Sequence, residues 1–251
     1  MPTPKTCLQA LDILVLAGGL GTRIRPALGD VPKIMAPIAG RPYLAYLFEW
    51  FERFGARRIV LALGHGARAV LDYLDRQPSD RIEIVPSVER LPLGTAGAIR
   101  FARRVLRSDP VLVLNGDSFS DADLCAFLDR HRRAGTIGTV LCTETDDAGR
   151  YGRVELDQNG LICRFVEKDP SFHGRALINA GAYLLSAALL DAIASGSGVS
   201  IERDVFERLP PLSLAAFAGR FRFVDIGTPE ALGGAAEVVG ASARGAWSRS
   251  L

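Results

Sequence analysis

The stretch VLAGGLGTRIRP, Val15 to Pro26, stops an apolar run at two glycines and follows them with a third glycine, a threonine and two arginines. Small residues let backbone N–H groups converge on an anion. Arg23 adds a planar fork that can give two parallel bonds to phosphate oxygens. Lys33, in the Pro-Lys pair that follows, adds a point charge. The chemistry implied is phosphate binding; the plainer alternative is a tight turn with surface arginines. Two familiar phosphate loops are excluded. No Gly-Lys pair followed by Ser or Thr is present, and Ile24 stands where a dinucleotide fingerprint needs its third glycine. A second point of chemistry is Asp117, which closes VLVLNGD. A carboxylate at the end of a buried parallel strand lies where such sheets bind ligands.

Alternating strands and helices must position these groups. Strands are expected at Asp12–Ala17, Arg57–Gly64, Arg81–Val85 (ending at Pro86), Val111–Asp117 and Thr136–Thr143. Helices are expected between them. The first spans Arg41–Gly55, with Pro42 in its first turn and Gly55 as its stop. The others span Ala67–Arg76, Thr95–Leu106 and Asp121–Gly135, the last capped by Asp121. Strands apolar on both faces, alternating with helices, predict an α/β sandwich with a largely parallel sheet. The pattern then changes. Tyr151–Lys168 reads as a hairpin turning at Asn159–Gly160, and Ala176–Ser186 as a further strand. Ser200–Pro210 reads as a helix capped by Ser200, and Leu214–Glu230 as a hairpin running into a loop. A last helix covers Pro229–Val239, and the polar end is expected to fray.

The 251 residues, 48% of them hydrophobic, suffice for one large core with a small appendage. A net charge of only +2 argues against nucleic acid as partner. No run is long and apolar enough to be a signal peptide or a membrane span, so the expectation is a cytoplasmic protein without membrane contact. Cys7, Cys125, Cys142 and Cys163 form no framework and are expected as reduced thiols. Lysine is scarce: Lys5, Lys33 and Lys168 stand against a background of arginine. A homodimer is the default expectation for assembly.

The string LAGGLGTR followed by Pro-Lys resembles the signature of the sugar-1-phosphate nucleotidyltransferases, and the resemblance extends from about Ile13 to Leu232. It implies a three-layer, Rossmann-like sandwich with a mostly parallel central sheet and a small sugar-side β insertion. It implies one domain over 1–251, with a nucleotide half at about 11–143 and a sugar-phosphate half at about 144–240. Implied nucleotide contacts are Leu16, Ala17, Gly18, Gly19, Gly21, Thr22, Arg23, Glu89, Gly94, Thr95 and Gly116. Gly94, Gly97 and Thr95 lie in ERLPLGTAG, where glycines permit close approach and Thr95 would cap the helix that follows. Glu89, an acceptor-only carboxylate, matches the adjacent N–H donors of guanine; otherwise it is a surface glutamate beside Arg90. Asp117 and Asp225, the latter in FVDIGTPE, are the implied Mg²⁺ ligands, and either alone could be a cap. Tyr151, Gly152, Glu167, Lys168, Asn179 and Gly181 resemble the sugar-phosphate pocket, although Glu167–Lys168 could be a solvated pair. Arg153, Phe172 and His173 are further candidates for shaping that pocket.

Within the family, PLGTAGAI, NGDSF, the short insertion and VDIGTPE are most similar to guanylyltransferases of D-glycero-D-manno-heptose 1-phosphate. The implied substrates are GTP and that sugar phosphate. Mannose 1-phosphate guanylyl transfer and hexose 1-phosphate uridylyl or thymidylyl transfer are alternatives. A noncatalytic regulatory protein is less well matched, because Arg23, Lys33, Asp117, Lys168 and Asp225, the implied catalytic set, are all present; a cytidylyltransferase acting on a polyol phosphate shares the fold but resembles a different loop pattern.

Overall fold

Successive side chains of a strand face opposite ways, and β1 (Asp12–Ala17) has both faces covered: Ile13 and Val15 join one apolar cluster, Leu14 the other. That is why the segment reads as an unbroken apolar run rather than an alternation. The computed structural model describes residues 5–77, 81–166 and 168–247. After β1 come the short α1 (Arg25–Leu28), a two-strand ribbon of β2 (Pro37–Ile38) and β3 (Arg41–Pro42), and α2 (Tyr43–Glu52). Then follow β4 (Arg58–Leu63), α3 (Ala67–Arg76), β5 (Glu83–Val88), α4 (Gly94–Ala102), β6 (Val111–Asn115), β7 (Ser118–Ser120), α5 (Leu124–Ala134) and β8 (Gly138–Thr145). The remaining elements are β9 (Arg153–Leu156), β10 (Ile162–Val166), β11 (Ala176–Leu185), α6 (Ala187–Ser195), α7 (Ile201–Asp204), β12 (Leu214–Gly219), β13 (Phe223–Asp225) and α8 (Pro229–Trp247).

The centre of the main sheet is parallel, in the order β6-β1-β4-β5. Antiparallel β11 joins it beyond β6, carrying the β9–β10 hairpin and β8, on which β12 lies parallel. One cluster packs beneath α2, α5 and α8, around Trp50, Phe51 and Phe127; the other packs beneath α4 and α6, around Ile99, Tyr183 and Leu190. Helices on both faces of a sheet make the three-layer α/β sandwich. The chain runs from β1 toward β4 and β5, then returns to the other side at β6, so the order reverses between β6 and β1. Open sheets bind ligands at such a point, off the carboxyl ends of the strands. The opposite end is sealed by a buried ion pair: Arg58 Nη1 donates to Asp12 Oδ1 at 2.8 Å, and Asp12 Oδ2 accepts from the N–H groups of Arg107 and Ser108. Burial would raise the Asp12 carboxyl, but those donors outweigh it and hold it below the usual range.

Several expectations are corrected by tertiary context. β5 continues through Pro86 to Val88, because β5 is an edge strand that, among the described residues, pairs only with β4. The cap of α5 is Asp123, whose carboxylate accepts from Cys125 and Ala126 N–H; Asp121 instead binds the backbone and guanidinium of Arg222. The helix expected over Ser200–Pro210 is only one turn, α7, followed by a 3₁₀ turn at Phe206–Arg208. Leu214–Glu230 is not a hairpin: β12 pairs with β8, and β13 with β7 in a separate ribbon. The last helix runs past Val239 to Trp247. Cys7 and Cys125 are joined in a disulfide, leaving buried Cys142 and exposed Cys163 as free thiols. Among the described residues no helix is long and apolar enough to cross a membrane.

Candidate active site

Leu16 pairs with Asn115 at the point where the strand order reverses, and the glycine-rich loop Gly18–Arg23 leaves the sheet just beyond. The two chains stay close: Gly116 N–H donates to Leu16 O at 2.8 Å, and a Cβ on Gly116 would lie 2.7 Å from that oxygen. Gly21 has φ +61° and starts the turn in which Ile24 and Arg25 N–H donate to its carbonyl. Gly18 is small for a reason the sequence did not disclose. A Cβ there would lie 2.4 Å from Glu89 Oε1, so the glycine makes room for a carboxylate arriving from beyond β5.

A cavity of about 500 Å³ opens above this loop. All eleven residues expected at the nucleotide line it, from Leu16 to Arg23 and on through Glu89, Gly94, Thr95 and Gly116, joined by Lys33 and Asp117. Glu89 is buried, not a surface residue. Among the described residues its Oε2 has no partner, and burial raises its carboxyl pKa against the opposing N–H of Leu93. Thr95 does not cap α4. Its Oγ1 accepts from Ile201 N–H at 2.8 Å, while Ala96 N–H donates to Val199 O at 2.9 Å. Gly94, at φ +72°, leaves no room for a Cβ against Val199. The start of α4 is thus clasped to the start of α7.

A second cavity, about 470 Å³, is lined by Tyr151, Gly152, Lys168, Asn179 and Gly181 from the expected sugar-side set. Glu167 lies outside the described residues. Arg153, Phe172 and His173 do not line either cavity; the Arg153 guanidinium instead stacks 4.0 Å over the Phe172 ring. Arg23, Asn115 and Asp117 belong to both cavities, so the two spaces meet there.

Asp225 is brought to this junction by the β7–β13 ribbon, which pairs it with Ser118, while Ile226 N–H donates to Asp117 O at 2.8 Å. Lys33 Nζ donates to Asp117 Oδ2 at 2.8 Å, and Gly227 N–H to Asp225 Oδ1 at 2.8 Å. Burial raises the Asp225 carboxyl, and repulsion from Asp117 adds to this; Gly227 N–H, Lys33 and Arg23 oppose it. Two adjacent hard carboxylates fit a divalent cation whose coordination is completed by substrate oxygens. They do not form a closed protein cage: among the described residues no group of three or more His, Cys, Asp or Glu could hold a metal.

Residues 13–241 match the family described as Nucleotidyl transferase. The chain belongs to that family. A D-glycero-alpha-D-manno-heptose 1-phosphate guanylyltransferase of Campylobacter jejuni is 33% identical over 220 residues, covering 88% of this chain and 96% of the relative. A probable mannose-1-phosphate guanylyltransferase of Oryza sativa is 36% identical, covering 87% of this chain but 62% of its own length. The crystal structure of HddC from Yersinia pseudotuberculosis superposes with a TM-score of 0.81 at 32% identity, covering 90% of this chain and 98% of that one. The same protein is known complexed with GMP-PN, at a TM-score of 0.79.

In this nucleotidyltransferase some wall residues were not apparent from the sequence. Asn115 lines both cavities, with its Oδ1 buried and unpartnered among the described residues. Glu202 and Arg203 line the second cavity from α7. The Ser200 cap was the available signal, since it places both residues in the first turn of a helix. Tyr43 lines neither cavity; it is fully buried, and among the described residues its hydroxyl has no partner, while burial, and next the charges of Asp117 and Asp225, push its pKa well up.

Proposed function

We propose that this nucleotidyltransferase transfers the guanylyl group of GTP to a sugar 1-phosphate, releasing pyrophosphate, with D-glycero-D-manno-heptose 1-phosphate as the favoured acceptor. The observation that carries the reading is the meeting of two cavities at Arg23 and Asp117, with a buried, under-partnered Glu89 carboxylate in the wall of one. An acceptor-only group there suits the paired N–H donors of guanine. The chain works as one domain: residues of about 11–143 form most of the nucleotide side, and those of about 144–240 most of the sugar side. The heptose acceptor is favoured over mannose 1-phosphate because the Campylobacter relative matches over 96% of its length, whereas the rice relative matches over 62%. The reading includes a cytoplasmic enzyme.

The acceptor phosphate is already anionic, so its attack on the α-phosphorus needs no base from the protein. Catalysis is then alignment and charge neutralisation. Arg23, at the junction, stabilises charge developing on the transferred group and the leaving pyrophosphate. Lys33 holds nucleotide phosphate, and Lys168 steers the sugar phosphate. Asp117 and Asp225 would hold Mg²⁺, which supplies further positive charge to the phosphates when bound. Losing one contact made only at the transition state costs about 3 kcal/mol.

The test is pyrophosphate release from GTP, UTP, dTTP, CTP and ATP, each paired with heptose, mannose and glucose 1-phosphates. The expected result is GTP with heptose 1-phosphate, abolished by EDTA, with Arg23→Ala lowering kcat about a hundredfold, in line with loss of a transition-state contact. Preference for UTP or dTTP overturns the guanine assignment. Mannose 1-phosphate outrunning heptose moves only the acceptor. Full activity in EDTA removes the metal.

A further inference from the structure

A carboxylate with no cationic partner is out of place in a cavity that must admit a phosphate. Glu202 is such a group. It lines the second cavity, and among the described residues it makes no ion pair. Its two oxygens are instead held by neutral hydroxyls: Tyr183 donates to Oε1 at 3.0 Å, and Ser200 to Oε2 at 3.0 Å. The supports of these donors are themselves fixed. Asn179 Nδ2 donates to Tyr183 OH at 3.0 Å, and the Tyr183 ring is fully buried edge-on to Phe206 at 5.2 Å. Asp204 Oδ2 accepts from Val199 and Ser200 N–H at 2.7 and 2.8 Å, and Thr95 takes Ile201 N–H. The carboxylate is therefore preorganised, while each oxygen keeps acceptor capacity beyond the one bond it makes.

Resting on the reading of this cavity as the acceptor site, we propose that Glu202 is a specificity-determining residue that accepts hydrogen bonds from hydroxyls of the sugar. Charge-assisted acceptance from a hydroxyl is stronger than a neutral pair, and a site built to bond a hydroxyl rejects an analogue that lacks it. This gives the carboxylate a use that offsets its repulsion of the phosphate. It also separates the labour: Lys168 and Arg23 meet the phosphate, and Glu202 meets the polyol.

The experiment is calorimetric binding of inorganic phosphate, heptose 1-phosphate, mannose 1-phosphate and their singly deoxygenated analogues to the full chain and to Glu202→Gln. Thermal unfolding and the GTP KM are measured alongside. The expected result is a Kd for the preferred sugar phosphate weakened at least tenfold, about 1.4 kcal/mol, with phosphate binding and GTP KM unchanged. One deoxy analogue should bind the parent weakly and lose nothing further in Glu202→Gln. Glu202→Asp, which keeps the charge one carbon short, should fall between. The proposal is overturned if sugar phosphate binding changes less than twofold, or if every deoxy analogue loses as much as its parent sugar. It is likewise overturned if the unfolding temperature falls and GTP and sugar phosphate weaken together, which marks a structural role. If the parent binds none of the sugar phosphates, the acceptor-site reading fails first and this assignment with it.

Discussion

Glu89 carries two opposed demands. Folding places its carboxylate in a buried position against Gly18 and Gly64, where the charged form is disfavoured. In the proposed role, recognition of a donor-bearing base needs that same charged form. The signs follow from the raised pKa. The group's ionisation weakens the fold, so its contribution to stability grows as pH falls through its folded pKa; base recognition fades over the same interval. Glu89→Gln is therefore expected to unfold at a higher temperature than the parent at neutral pH, while its GTP KM rises about tenfold and its preference over UTP narrows, one hydrogen bond being enough for such a change. The acidic limb of the parent's GTP KM profile should disappear in the variant. An unaltered nucleotide preference would return Glu89 to a packing role.

Between elements, the clasp of α4 on α7 joins the walls of the two cavities through Thr95, Ala96, Val199 and Ile201. Thr95→Val keeps the shape of the side chain but removes the acceptor, leaving Ile201 N–H without its partner. The expected loss is about 1–3 kcal/mol of stability. The sugar-phosphate KM should rise although Thr95 lines the nucleotide cavity, with Thr95→Ser restoring both values. A change in GTP KM alone would reduce Thr95 to a nucleotide contact. The β7–β13 ribbon makes a similar point. FVDIGTPE was legible as a motif, yet what brings Asp225 beside Asp117 is a three-residue pairing with a strand too short to read from hydrophobic pattern.

Over the whole molecule, the Cys7–Cys125 bond ties the chain's start to α5, and neither cysteine lines the described cavities. In the chain-entropy view a crosslink closing so long a loop contributes about 4 to 5 kcal/mol. Reduction is expected to lower the unfolding temperature while leaving KM for both substrates unchanged. Thiol titration of the folded, oxidised chain should find one fast thiol, exposed Cys163. Cys142 is buried at the sheet and its pKa is pushed far up by that burial. Two fast thiols beyond Cys163 would show that Cys7 and Cys125 are unbonded.

The amino-acid order by itself determined the alternation of the central strands and their helices, because each central strand is apolar on both faces and the helices between them carry an apolar stripe. It determined the loop Gly18–Arg23 and the candidates Lys33, Asp117 and Asp225, because their chemistry is local to a recognisable string. Tertiary structure alone decided which groups meet. Asp123 rather than Asp121 caps α5, since Arg222 arrives from far along the chain to take Asp121. Leu214–Gly219 pairs not within its own segment but along β8, in a six-residue parallel ladder. Gly18 is small for Glu89, Thr95 serves α7, and Glu202 faces a cavity closed by β11 and the hairpin β9–β10. In each case the deciding hydrogen bond or van der Waals limit lies between segments remote in sequence, and a pattern within one segment holds no record of it.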